Sequence, residues 1–172
     1  MTVIAAMHPF HFDTSDFDYI RQFHVIYANL NSYIENDLKV LYDTGVPVAY
    51  DFSWKWTDDY LKKANALGVK IVLGTVGEAG SYVLYDNDFY YMKAVRADNI
   101  IDTIGAGDFY FAAFMCDLLK NSREGNFIEG AKKQMKERLL HAMAKGAGFA
   151  ANVCAMEGAF GYGVPIAGRT KI

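Results

Sequence analysis

The residues of this chain whose types and spacing suit chemistry lie together in Ile101-Asp102-Thr103-Ile104-Gly105-Ala106-Gly107-Asp108. The small residues Gly105 to Gly107 leave backbone amides bare, so that another group can approach them closely. From Asp108 on, Phe111, Phe114, Met115, Leu118 and Leu119 recur at helical spacing, which predicts a buried helix. A loop of bare amides therefore opens into a helix N-terminus, where the first N–H groups lack internal partners and carry partial positive charge. That arrangement is an anion site. Asp108 falls in the first turn, and a carboxylate beside an anion cradle is what transfer of a phosphoryl group to a hydroxyl requires. The plainer reading is a glycine-rich turn ahead of a core helix, with Asp108 an ordinary first-turn acid.

The elements that must position this stretch alternate. Val3 to Met7 is a short apolar run that reads as a strand, broken at His8-Pro9-Phe10-His11. The two histidines lack a third ligand, and Pro9 between them argues against a helical metal pair. Asp13 to Asp16 reads as a cap before a helix over Phe17 to Phe23. His24 to Ala28 reads as a buried strand, Asn31 to Asp43 as a helix with Ile34, Leu38 and Leu41 on one face, and Val48 to Ser53 as the next strand. A helix follows over Thr57 to Asn65 and a strand over Lys70 to Thr75. Then come a Gly turn at Val76 to Ser81, a strand at Tyr82 to Tyr85, an Asp-Asn turn and a strand at Phe89 to Tyr91, the pattern of a β-hairpin. A long helix is expected over roughly Phe127 to Cys154, with Lys132, Lys133, Lys136, Glu137 and Arg138 on a solvated face and small residues Gly146 to Ala151 permitting close approach. Alternating apolar strands and helices imply an α/β fold of three layers, a mostly parallel sheet with helices on both faces, in a single domain over residues 1–172. Ligands in such sheets sit beyond the strand C-termini, where Asp51 lies.

The 172 residues suffice for one domain with a real core. A hydrophobic share of 52% against 22% charged residues fits a globular protein rather than disorder. The net charge of -3 gives no basis for nucleic acid or an anionic membrane as partner. Cys116 and Cys154 form no CxxC and read as buried, reduced thiols of a cytoplasmic protein. No basic n-region precedes the first apolar residues, and no apolar run is long enough to span a bilayer. There is no Gly-Lys-Ser/Thr of a Walker A loop, and Gly105-Ala106-Gly107 lacks the third glycine of a dinucleotide fingerprint.

The string Asp-Thr-x-Gly-Ala-Gly-Asp from Asp102 to Asp108, followed by Ala112-Ala113-Phe114-Met115, resembles the C-terminal signature of the ribokinase-like (PfkB) carbohydrate kinases. The resemblance implies a ribokinase-like fold and ATP-dependent phosphorylation of a hydroxyl on a sugar or sugar derivative, with Mg2+. By the same resemblance Asp108 is the base, and the amides of Gly105, Ala106 and Gly107 form the anion hole. Thr75, Gly77 and Gly80 match a Thr-x-Gly-x-x-Gly-Ser string that lies along the nucleotide in the family; a tight hairpin turn explains them as well. Asn152, near the end of the long helix, would face the adenine. Glu157-Gly158-Ala159-Phe160-Gly161 resembles a Gly-Ala loop that, with the signature Asp, holds potassium in many members. The matching K+ ligands are the Asp102 side chain and the Ile104 carbonyl, and Asp102 as a plain loop residue is the alternative. Tyr50-Asp51-Phe52-Ser53 with Trp56 is similar to a strand end of the fructosamine (fructoselysine-type) kinases. There Asp51 would help hold the Mg-nucleotide or the sugar, or else cap the next helix.

The resemblance covers the C-terminal part of a family member. The N-terminal lid portion has no counterpart, an Asn-x-x-Glu motif is missing from its place, and Gln134 to Lys145 looks like an insertion. Two expectations follow: a sugar or sugar-amine kinase, with a nucleoside kinase as its substrate-level variant, or a non-catalytic nucleotide-binding or scaffold remnant of the same fold. With 15% aromatic residues, association into a homo-oligomer is also expected.

Overall fold

The computed structural model describes residues 11–29, 35–51, 58–120 and 132–158. The expected first strand and the residues Ile34, Phe52, Ser53 and Trp56 lie outside them. The described elements are α1 (Phe17–Ile20), β1 (Ile26–Asn29), α2 (Leu38–Asp43), β2 (Val48–Asp51), α3 (Asp58–Ala66), β3 (Ile71–Thr75), β4 (Ser81–Tyr85), β5 (Asp88–Met92), α4 (Ala106–Lys120) and α5 (Lys132–Cys154). The strands form one sheet in the order β1-β2-β3-β4-β5. β1 pairs parallel with β2, and β2 with β3. The links from β3 to β4 and from β4 to β5 are far too short for a parallel crossover, so those pairs are antiparallel. All strands but β4 therefore run the same way, in keeping with the mostly parallel α/β sheet expected. Asp86 and Asn87 turn the β4–β5 hairpin with φ of 50° and 63°, the two positive values a type I′ turn needs.

The chain divides into two compact units, residues 1–74 with 83–90 and residues 75–82 with 91–172. The core of the first joins Leu38 and Leu41 of α2, Val48 and Tyr50 of β2, Ala64 of α3, Val72 of β3 and Leu84 of β4. Every residue of β2 is buried, as befits a strand inside a parallel sheet rather than one with a wet face. Asp13 begins the segment before α1 with a reciprocal cap. Its carboxylate accepts from Ser15 N–H at 2.7 Å, and its own N–H donates to Asp16 Oδ2 at 3.0 Å. The bonds from Ser15 hold the Asp13 carboxyl below the usual carboxylate range.

In the second unit α4 packs along α5. Phe111, Phe114, Met115 and Leu118 are buried on α4, and Met135, Leu139, Ala142, Met143 and Ala147 on α5. Several boundaries differ from expectation. α1 stops at Ile20 because the N–H groups of Gln22 and Phe23 turn to carbonyls three residues back, Tyr19 and Ile20. The helix of α2 starts only at Leu38, after a 3-10 turn at Glu35–Asp37. Cys116 is exposed rather than buried, because it lies off the stripe that α4 turns to α5. Arg138 is not simply solvated either. Its guanidinium donates to the Leu118 carbonyl at 3.1 Å, near the negative end of α4. No helix among the described residues is long and apolar enough to cross a membrane.

Candidate functional site

The signature helix begins two residues earlier than its apolar spacing predicts, at Ala106 rather than Asp108. Gly105 stands just before it at φ +79°, and its carbonyl accepts Phe109 N–H at 2.9 Å, closing the first turn. Gly107 thus sits inside the first turn, where few helical bonds depend on it. The N–H of Ala106 is held by the Thr103 carbonyl at 3.2 Å. The N–H groups of Gly105, Gly107 and Asp108 have no hydrogen-bond partner among the described residues. These open donors stand at the positive end of a 15-residue helix, with the exposed Asp108 among them.

Asp102 organises the approach to that helix. Oδ1 accepts Ile104 N–H at 3.0 Å, an Asx turn, and Oδ2 accepts Gly158 N–H at 3.2 Å. The N–H groups of Ile101 and Asp102 both donate to the Cys154 carbonyl, at 2.8 and 3.2 Å. The signature loop is therefore tied at three points to the end of α5 and the turn after it. The Ile104 carbonyl accepts no hydrogen bond among the described residues, which leaves an oxygen of the kind a hard cation takes.

The segment Thr75 to Tyr82 reaches the same helix. A side chain begun at Gly107 would lie 3.7 Å from Thr75 Oγ1, so the threonine hydroxyl faces the first turn of α4. Between Thr75 and Ser81 the chain makes a closed loop: Val76 N–H donates to the Gly80 carbonyl at 2.8 Å, around a 3-10 turn at Gly77–Ala79. The two glycines of this loop differ. Gly77, at φ +53°, has nothing within 4 Å of a would-be side chain, so space above it is open. Gly80, at φ +102°, would place a Cβ 2.3 Å from the Met92 carbonyl, so packing against the β5 end accounts for it. Tyr91 OH donates to the Ala79 carbonyl at 3.1 Å and braces the loop from outside.

One pair in this region was not legible from the motif. The Ser81 and Tyr110 hydroxyls lie 2.6 Å apart and buried, joining the start of β4 to α4. Gly146 of α5 lies against the Tyr110 ring, where a Cβ would come within 2.9 Å of Cε1. Burial pushes the Tyr110 phenol up to about 12, against a smaller downward pull from Ser81. The sequence carried one signal: Tyr110 stands four residues before Phe114, on the same face of the helix.

The other expected site residues fall elsewhere. Asp51 belongs to the first unit, where it ends β2 buried, level with Asn29 of β1 and Leu73 of β3. Asn152 is exposed on the last turn of α5, with its carbonyl accepting Ala155 N–H at 3.2 Å. Among the described residues no three His, Cys, Asp or Glu side chains gather as a metal cage, and His11 lies 3.3 Å from Asp37; His8 lies outside the described residues.

The strands and helices follow the ribokinase-like fold. A solved ribokinase from Giardia lamblia is similar at a TM-score of 0.59, covering 84% of this chain and 57% of its own, at 15% identity. The family model for pfkB family carbohydrate kinases matches residues 55–160, and the chain belongs to that family. Its sequence is 29% identical to fructosamine kinase FrlD of Bacillus subtilis, over 90% of this chain and 57% of the relative. It is 27% identical to the fructoselysine 6-kinase of Escherichia coli, over 64% of this chain and 51% of the relative. The chain thus spans about half the length of the curated relatives it matches.

Proposed function

We propose that this chain carries the phosphate-handling part of a carbohydrate kinase, which transfers the γ-phosphoryl group of ATP to a hydroxyl of a sugar or sugar-amine. The observation that carries the reading is the set of open N–H groups at Gly105, Gly107 and Asp108, beside an exposed carboxylate and opposite the Thr75 hydroxyl. Asp108 takes the proton of the attacking hydroxyl as its oxygen bonds to the γ-phosphorus and the bond from that phosphorus to the β–γ bridging oxygen breaks, releasing ADP. The open amides receive charge on the transferred group, and the Gly105-Ala106-Gly107 backbone gives that group room. Thr75 donates to a phosphate oxygen, Gly77 leaves space for the nucleotide, and Gly80 keeps the loop closed beneath it. Asn152 borders the adenine.

Mg2+ held chiefly through phosphates asks for only one or two carboxylates, which is compatible with the scattered acids seen here. Asp51 is the residue proposed to hold the Mg-nucleotide or the sugar. When bound, the metal neutralises charge on the phosphates. Potassium is assigned to the Asp102 carboxylate and the unpaired Ile104 carbonyl. A fructosamine-like substrate is favoured by the likeness to the fructosamine and fructoselysine kinases. We take residues 1–172 as one ribokinase-like domain of a cytoplasmic enzyme that associates with copies of itself and has no nucleic-acid or membrane partner.

ATP binding and turnover with Mg2+ on the 172-residue chain test this, against fructoselysine, fructose, ribose and adenosine. Turnover on a sugar-amine supports the reading, and turnover on adenosine makes it a nucleoside kinase. ATP binding with no turnover favours the second reading, a nucleotide-binding remnant. No ATP binding refutes both.

A further inference from the structure

We propose that Tyr110 is a positioning residue of this phosphate site, acting through Ser81 to hold the Thr75–Tyr82 segment against the first turns of α4. The inference rests on the phosphate-site reading above. The segment faces one stripe of the helix at two points and is bonded to it at one of them. At one end Thr75 faces Gly107, 3.7 Å from the start of its would-be side chain. At the other, Ser81 and Tyr110 share a buried hydrogen bond of 2.6 Å. Gly107 and Tyr110 are three residues apart on α4, so both points lie on the same face of the helix. The loop between Thr75 and Ser81 is closed on itself by the Val76 to Gly80 bond, so it moves with its ends.

The ring of Tyr110 cannot slide to follow a loosened strand. Gly146 of α5 backs it so closely that even a methyl group would lie 2.9 Å from both Cε1 and the Tyr110 carbonyl. The hydroxyl is thus held by two helices and presented to Ser81 as a fixed point. A phenylalanine would fill the same space and keep the apolar packing. What it would lose is the directional bond that sets where Thr75 and Gly77 stand relative to the open amides. Because positioning supplies most of the rate in phosphoryl transfer, small displacements of such groups matter.

The test compares the full chain with Tyr110→Phe, Ser81→Ala and the double variant. Each single change leaves one buried hydroxyl unpaired, so a loss of stability there says little. The double change leaves none, and its melting temperature should return close to that of the parent. Two readouts then decide. Amide hydrogen exchange at Val76, Ala79 and Gly80, followed without nucleotide, should quicken about five- to tenfold in the double variant, and affinity for ATP·Mg should fall by about the same factor. Exchange and affinity at parental values in the double variant would overturn the proposal, as would faster exchange with unchanged affinity. Were the parent itself to bind no ATP, the phosphate-site reading would fail and the positioning role with it. The exchange measurement would still show whether the tie exists.

Discussion

The Thr75 hydroxyl oxygen lies 3.7 Å from the point at which a side chain on Gly107 would begin. That distance is ordinary van der Waals contact, so the fold has room for a methyl group at Gly107, while the space between threonine and helix does not stay free. Two consequences separate. Gly107→Ala should leave stability unchanged or raise it by up to about 1 kcal/mol, since alanine is the better helix former. The same methyl group would stand over the open amides and lower ATP affinity, by about tenfold or more if an oxyanion must sit there. Thermal unfolding and ATP titration of the one variant read both effects. A drop in affinity accompanied by unfolding would speak against the assignment.

Asp108→Asn separates chemistry from binding. The carboxylate is exposed and makes no hydrogen bond among the described residues, so the fold does not depend on it. Losing the base should lower turnover on a responsive sugar by about a hundredfold or more, a loss typical of removing a placed proton acceptor. ATP affinity should stay within a few-fold of the parent. Steady-state rates with calorimetric titration check this, and equal rates in variant and parent would take the base role from Asp108.

Much of this site could be read from the chain because its parts are local. The Asp102 to Asp108 string, the apolar stripe of α4 and the β4–β5 hairpin each announce themselves within a few residues. The apolar spacing of α4 points to a start at Asp108 because Gly105 and Gly107 are poor interior residues, yet a glycine is acceptable in a first turn, where helical bonds are few. Ser81 and Tyr110 were missed for the opposite reason. They are 29 positions apart, and nothing near either one shows that the two hydroxyls meet. Gly80 looked like Gly77 in the motif, but only the packing shows that one glycine faces open space and the other faces Met92. Arg138 shows the same limit, since a charged run reads as a wet face until a carbonyl such as that of Leu118 lies within reach.

The glycines of α5 should respond in opposite directions. A methyl group at Gly146 would meet Tyr110 Cε1 and its carbonyl oxygen at 2.9 Å, whereas one at Gly148 would have nothing within 4 Å. Gly146→Ala should therefore destabilise by about 1–3 kcal/mol through overpacking. Gly148→Ala should stabilise by up to about 1 kcal/mol through helix propensity alone. Denaturant unfolding of the two variants under one set of conditions checks the contrast, and equal shifts would contradict the close approach of α5 to Tyr110.

Asp102 offers a test of the loop tie. Its two oxygens accept backbone N–H groups of Ile104 and Gly158 at 3.0 and 3.2 Å. Asp102→Ala removes both acceptors and should cost about 1–3 kcal/mol, with faster amide exchange at Ile104 and Gly158. Asp102→Asn keeps one oxygen and should fall between the parent and Asp102→Ala. With potassium held there, exchanging Na+ for K+ should raise the melting temperature of the parent and not that of Asp102→Ala.

Tyr110 gives the chain a definite response to base. Burial raises its phenol from about 10 to about 12, so the folded state keeps the proton over a range in which the unfolded chain has lost it. Stability changes with pH as the difference in bound protons, and here the unfolded state binds fewer. Folding is thus fully supported by this group below about pH 10 and loses that support as pH rises through about 12. The linked loss is on the order of 2 kcal/mol across that window. Tyr110→Phe has no such proton, so its stability should fall less steeply than that of the parent between pH 10 and 12. Urea unfolding at stepped pH measures both slopes. Parallel slopes would mean that the phenol meets water in the folded protein, and that the bond to Ser81 is not buried as the geometry places it.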